Sequence, residues 1–120
     1  MSYDPNNIFA KILNGDIPCD KIYEDEHVLA FNDIQPLAPT HVLIIPKGQY
    51  CSMDDFSEKA SAEEITAYIR AIGKIGRELG LDQSGYRILS NMGQDANQEV
   101  PHLHIHLVGG KRLGRMLPRD

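Results

Sequence analysis

Five of the 120 residues are histidines, and three of them, His102, His104 and His106, stand at every second position near the end of the chain. Leu103, Ile105, Leu107 and Val108 fill and follow the gaps. A period of two is the pattern of a half-buried strand, whose successive side chains point to opposite faces. The apolar residues then face a core and the imidazoles line the other face, close enough for one phosphate or one metal to touch more than one. Aligned imidazoles fill a core poorly, which favours a chemical role over packing. Two chemistries fit. Neutral imidazole binds zinc at about 2.0–2.1 Å, and three histidines with one open position make a catalytic site. Alternatively, one imidazole attacks phosphorus while its neighbours hold the phosphate and move a proton, a role suited to a free pKa near about 6.5. Charge developing on phosphoryl oxygens then calls for imidazolium or backbone N–H donors. The spacing alone does not separate the two.

The elements that must position these residues can be traced back from them. Residues 85–91 form a strand, 92–99 a polar loop, and Val100-Pro101 lead into the histidine strand. His41 opens the near-continuous apolar run Val42–Pro46, a strand buried on both faces; taken alone, His41 is a structural residue. Residues 21–24 and 27–32 are two strands joined by the acidic turn Asp25-Glu26, with His27 exposed, and residues 32–40 are a proline-punctuated loop. A short helix follows Asn6-Asn7 and stops at Gly15, with Ile8, Phe9, Ile12 and Leu13 on one face that packs in the core or walls a pocket. Residues 47–59 read as polar and irregular. Ser61 and Glu64 form a capping box for a long helix ending at Gly80, with Ile65, Tyr68, Ile69, Ile72, Ile75 and Leu79 as its apolar face. Gly73 and Gly76 weaken it by about 1 kcal/mol each relative to Ala, which suits close packing on a sheet. The tail from Lys111 has no clear periodicity. Strands interrupted by one long helix, without β-α-β alternation, predict an antiparallel α+β fold. Residues 1–120 form a single domain, with helices on one face of the sheet and histidines on the other.

Composition narrows the function classes. A hydrophobic fraction of 42% and a charged fraction of 24% are those of an ordinary soluble globular protein, so no membrane role is expected. A net charge of −5 argues against nonspecific nucleic-acid binding, which rests on Lys and Arg neutralising phosphates. A single site can still hold a small anion. The N-terminus lacks the basic and apolar regions of a signal peptide. Cys19 and Cys51 stand far apart in no ligand-like spacing, as thiols of a reducing compartment do. The expected location is cytoplasmic.

The stretch His102-Leu103-His104-Ile105-His106-Leu107-Val108 resembles the signature of the histidine triad superfamily, three histidines alternating with apolar residues. The likeness extends over nearly the whole chain. Residues 8–12, 30–34, 38–47, 85–87 and Gly109-Gly110 are similar to the Hint branch in content and order. The resemblance implies an antiparallel sheet with one long and one short helix, continued across a homodimer. It also implies a purine nucleoside phosphoramidase that cleaves the P–N bond of AMP- or GMP-amine conjugates, with no metal or other cofactor. His104 becomes the nucleophile that carries a nucleotidyl intermediate, later hydrolysed by water. His106 maps to phosphate binding and proton transfer, and His102 and His41 to orientation of the nucleophile. Asp33 maps to the acceptor for ribose hydroxyls. Ile8, Phe9, Ile12, Ile17, Phe31 and Ile34 map around the base, and Asn91 to a phosphate contact. Asn32, Gln98, Glu99 and Val100 complete the nucleotide-binding set. One position departs: relatives usually carry Ser or Thr where this chain has Glu99. An ionised Glu accepts but cannot donate, and repels phosphate. It either points away, meets the amine leaving group, or helps keep His106 protonated. Rival implications are a nucleotide-binding regulatory or scaffold protein with incidental turnover, and a dinucleoside polyphosphate hydrolase. The transferase branch carries Gln where this chain has His106. The paired N-terminal cysteines of zinc-bearing relatives are absent, since Cys19 has no near partner in sequence.

Overall fold

Alternating and continuous apolar runs fold as their periods demand in the computed structural model, which describes residues 2–119. In chain order the elements are α1 (Ile8–Leu13), β1 (Lys21–Glu24), β2 (Val28–Asn32), β3 (Thr40–Pro46), α2 (Met53–Lys59), α3 (Ala62–Glu78), α4 (Leu81–Ser84), β4 (Tyr86–Leu89) and β5 (Ile105–Gly109). The strands make one antiparallel sheet in the order β1-β2-β3-β5-β4. The fold is the expected antiparallel α+β class. β3 lies at the centre, and six of its seven residues are buried.

Side-chain parity divides the interior into two cores. Val28, Ala30, Val42, Ile44, Leu103, Ile105 and Leu107 pack against Tyr68, Ala71, Ile72 and Ile75 of α3. Leu29, Phe31, Leu43 and Ile45 point the other way and pack against Phe9 of α1. Helices therefore cover both faces, where one face was expected. The physical reason is that the second face is itself apolar and, left open, would expose four large side chains to water. α1 is held for this task by Asn7, whose side-chain oxygen accepts the N–H groups of Phe9 and Ala10, each at 2.9 Å.

Three further features differ from the sequence reading. α2 lies in the stretch read as irregular: Ser52 and Asp55 form a reciprocal capping box, and Phe56 drops into the α3-side core. A single turn, α4, follows Gly80, so the chain has more than one short helix. His27 is half-buried, not exposed. Its Nε2 stands 3.2 Å from Glu63 Oε1 at the start of α3.

The histidine strand itself starts late. β5 pairs with β3 only from Ile105 opposite Ile44 to Gly109 opposite Thr40, so His102, Leu103 and His104 precede the ladder. Proline on both sides accounts for this, since neither Pro46 nor Pro101 has an N–H to offer a neighbouring strand. The Pro46 carbonyl instead accepts from the ring of His102 at 2.9 Å. Alternation survives without the ladder: Leu103 is in the core of α3, and His102 and His104 point to the opposite side.

Candidate active site

Two adjoining strands bring His41 and His106 together. His41 stands opposite Val108 and Leu43 opposite His106, so the two histidines are diagonal neighbours on one face of an antiparallel pair. His41 Nε2 lies 3.0 Å from His106 Nδ1. The His104 ring follows, its centroid 5.0 Å from that of His106. Phe9 of α1 stands edge-on to the His104 ring, also at 5.0 Å.

The tautomers of His41, His102 and His104 each follow from one backbone group that can only donate or only accept, and that of His106 follows from His41. The Leu37 N–H donates to His41 Nδ1 at 3.0 Å, so His41 carries its hydrogen on Nε2 and directs it at His106 Nδ1. His106 then keeps its own hydrogen on Nε2. The carbonyl of His102 accepts from His104 Nδ1 at 2.7 Å, which leaves the Nε2 lone pair of His104 free to attack. The carbonyl of Pro46 likewise places the hydrogen of His102 on Nε2, and His102 Nδ1 accepts from the Tyr3 hydroxyl at 2.6 Å.

Asp33 completes the group. Its Oδ2 is 3.4 Å from His41 Nε2, and its Oδ1 accepts the Gln35 N–H at 2.9 Å. The Asp33 N–H donates to the His41 carbonyl at 2.9 Å, so the loop carboxylate is pinned to the mouth of β3.

Burial shifts the three triad histidines toward their neutral forms. It pushes the His106 pKa down to about 4, with the nearby His104 and His41 adding to the effect and Asp33 opposing it. Burial also lowers His104, against the opposing pull of the His102 carbonyl, Asp33 and Glu99. His102 is lowered by burial as well, opposed by the Pro46 carbonyl.

His41, His104 and His106 open onto a cavity of about 540 Å³, within the usual range for a small-molecule site. Ile8, Phe9, Ile12, Ile17, Phe31, Asn32, Asp33, Ile34, Asn91, Glu99 and Val100 line it with them. Two residues of the anticipated set lie elsewhere. His102 is fully buried behind His104. Gln98, expected among the nucleotide-binding residues, does not reach the cavity. Its amide donates to the Cys51 and Val100 carbonyls and accepts the Gly93 N–H, bracing the loop before the triad. Leu37 and Leu43 also line the cavity but were not singled out from sequence. Leu43 was within reach, being two residues beyond His41 on the same face. Tyr3 was not, because it lies outside any periodic segment.

A three-histidine zinc site does not fit this arrangement. Both nitrogens of His102 and one of His104 are committed to hydrogen bonds, so the triad offers only two free nitrogens to one point. Asp33, His41 and His106 do bring one donor atom each within 4.8 Å of one another. A cation there would have to displace the His41 hydrogen shared with His106.

Comparison with known proteins agrees with the geometry. Residues 14–113 match the HIT domain family. A HIT-like protein of Azospirillum brasilense is 60% identical over 118 residues, covering 98% of this chain and 97% of that protein. The purine nucleoside phosphoramidase of Escherichia coli K12 is 42% identical over 110 residues, 92% of each chain. Among solved structures, a HIT family hydrolase from Clostridium thermocellum superimposes with a TM-score of 0.86 at 41% identity, covering 93% of this chain and 97% of the other. A histidine triad protein from Clostridium difficile gives 0.81 at 43% identity, covering 99% of each. With the triad, the fold and these relatives in agreement, the chain belongs to the HIT domain family.

Proposed function

We propose that the chain hydrolyses the P–N bond of purine nucleoside 5′-phosphoramidates in the cytoplasm, releasing the nucleoside monophosphate and an amine. The observation that carries this is the free Nε2 of His104, facing a cavity that also holds His41, His106 and Asp33. The 42% identical E. coli phosphoramidase supports the same substrate class.

In the first step the His104 Nε2 lone pair attacks phosphorus, a bond from phosphorus to His104 forms, and the bond to the leaving amine breaks. The anionic substrate favours imidazolium beside it, so the His41–His106 pair takes up a proton on binding and gives it to the departing nitrogen. His104 Nδ1 keeps its hydrogen on the His102 carbonyl, which stabilises the cationic nucleotidyl-imidazole. In the second step water attacks phosphorus, its proton returns to the pair, and the P–N bond to His104 breaks. The Asp33 carboxylate accepts from the ribose hydroxyls, and the base lies among Ile8, Phe9, Ile12, Ile17, Phe31 and Ile34. Asn91 contacts the phosphate.

Glu99 lines the leaving-group side and favours cationic amines. Being exposed, it changes relative rates by no more than about fivefold, the limit for a solvated charge pair. A second copy of the chain continues the sheet along β4. That strand's outer edge pairs with no described strand and exposes Ile88 and Leu89, whereas the other edge, β1, begins and ends with the charged Lys21 and Glu24.

One substrate panel tests the proposal. Phosphoramidates of cationic and neutral amines, dinucleoside polyphosphates and nucleotidyl sulfates are assayed with wild type, His104→Ala and Glu99→Ser. Expected are turnover of phosphoramidates, its loss in His104→Ala with nucleotide binding retained, and a smaller cationic preference in Glu99→Ser. An active His104→Ala, or turnover confined to dinucleoside polyphosphates, would overturn it. A sedimentation mass of one chain would overturn the dimer.

A further inference from the structure

We infer that Tyr3 is a positioning residue for this reaction: its hydroxyl, donating to His102 Nδ1, immobilises the segment that presents the nucleophile His104. The inference rests on the function proposed above for its kinetic consequence, and on geometry alone for the contact itself.

The need for such a device follows from where the ladder begins. β5 starts at Ile105, so His104 and the His102 carbonyl that orients it both lie in a segment without strand pairing. Cross-strand hydrogen bonds hold His106 but not His104. Four other contacts hold the segment. The Leu103 N–H donates to the Tyr50 carbonyl at 2.8 Å, and the Ser90 hydroxyl donates to the His104 carbonyl at 2.9 Å. The His102 ring is gripped at both nitrogens, by the Pro46 carbonyl at 2.9 Å and by the Tyr3 hydroxyl at 2.6 Å.

The direction of the last bond is not a matter of choice. A carbonyl only accepts, so His102 Nε2 carries the hydrogen and Nδ1 is a lone pair that needs a donor. His102 is 0% exposed, so water does not supply one. Tyr3, 99 residues away in sequence, does. Its ring also packs edge-on to the imidazole, with centroids 5.5 Å apart. A Phe at this position keeps that packing and removes only the donor. The His102 ring would then hold a buried, unpaired nitrogen and lose one of its two anchors. Its carbonyl would orient His104 less strictly, while the nucleotide cavity on the far side of His104 stays intact.

The test is Tyr3→Phe in the full-length protein, with two readouts. Kinetically, kcat for an adenosine phosphoramidate should fall about tenfold, the rate equivalent of one hydrogen bond, with KM within twofold of wild type. Spectroscopically, histidine-selective 15N NMR of the wild type should show His102 Nδ1 as a hydrogen-bonded, unprotonated nitrogen, and its resonance should move toward the free pyridine-type position in the variant. A lowered melting temperature with wild-type kcat would make Tyr3 merely structural and overturn the inference. So would a wild-type spectrum in which Nδ1 is protonated or free, an observation that does not depend on the variant folding. Absence of any wild-type phosphoramidate turnover would sink the proposed function instead, while the 15N spectra would still decide whether Tyr3 grips His102.

Discussion

In the proposed reaction His104 must be neutral to attack, and His106 must be neutral in the free protein for the His41 hydrogen to rest on its Nδ1. Burial secures both, because removing an imidazole from water penalises its charged form. Both pKa values lie below the ordinary histidine value, that of His106 at about 4. A lowered pKa keeps the neutral form present to lower pH. The acid limb of kcat/KM, which reports the free enzyme, should therefore fall below the usual histidine range of about 6.5. A plateau is expected from neutrality down through that pH, with decline only further toward acid. A limb at or above the ordinary histidine pKa would contradict the charge states assigned to the cluster. In the proposed reaction the phosphoryl group reverses the balance only once bound, when its negative charge draws a proton onto the His41–His106 pair.

At the scale of elements, the two glycines of α3 behave differently although sequence treats them alike. A Cβ on Gly76 would stand 2.7–2.9 Å from the ring and hydroxyl of Tyr86 on β4, whereas one on Gly73 meets only the flexible guanidinium of Arg77 at 3.1 Å. Gly73→Ala should stabilise the protein by roughly 1 kcal/mol through helix propensity. Gly76→Ala should instead destabilise it by about 1–3 kcal/mol, because overpacking outweighs propensity. Denaturant melts of the two variants check this, and stabilisation by both would show that α3 does not need its close approach to β4. The same approach holds β4 beside β5, where Leu89 faces His106 across the register. A helix glycine thus helps to seat the neighbour of the strand that carries His106.

For the whole molecule, the buried neutral histidines carry a cost that appears on acidification. The unfolded chain protonates His102, His104 and His106 near about pH 6.5, while the folded chain does so only at lower pH. Below the unfolded value the unfolded state binds more protons, so stability is complete above that pH and is lost as pH falls toward the folded values. His27 acts in the opposite sense, since Glu63 raises its pKa and that contribution is lost as pH rises. It is one ion pair to an exposed Glu63 against three more deeply buried rings, so the acid-side loss should dominate. Thermal melts should show Tm falling from neutrality through pH 6 and toward 5, and replacing His102 by a neutral residue of similar volume should flatten that slope. A Tm independent of pH over this range would contradict burial of neutral imidazoles.

Much of this was legible in the amino-acid sequence because it depends on local periodicity. The alternation of His102, His104 and His106 with Leu103, Ile105 and Leu107 assigned sides. The apolar run after His41 marked the central strand, and Ser61 with Glu64 marked the long helix. The cavity-lining residues from Ile8 to Val100 were available because family resemblance adds position to type. What the sequence could not contain was any relation set by three-dimensional approach. Proline at 46 and 101 ends the ladder before His104, so the proposed nucleophile is held by contacts outside the strand ladder. Gln98 is drawn away to brace a loop, and α1 crosses to the histidine face because that face is also apolar. The tautomers of all four imidazoles trace to backbone groups of Leu37, Pro46 and His102, and Tyr3, distant in sequence, meets the nitrogen that this leaves open on His102. Some of these contacts join residues far apart in sequence, and the local ones, Leu37 to His41 and His102 to His104, depend on backbone outside the strand ladder that no periodicity encodes, which is why only the tertiary structure decided them.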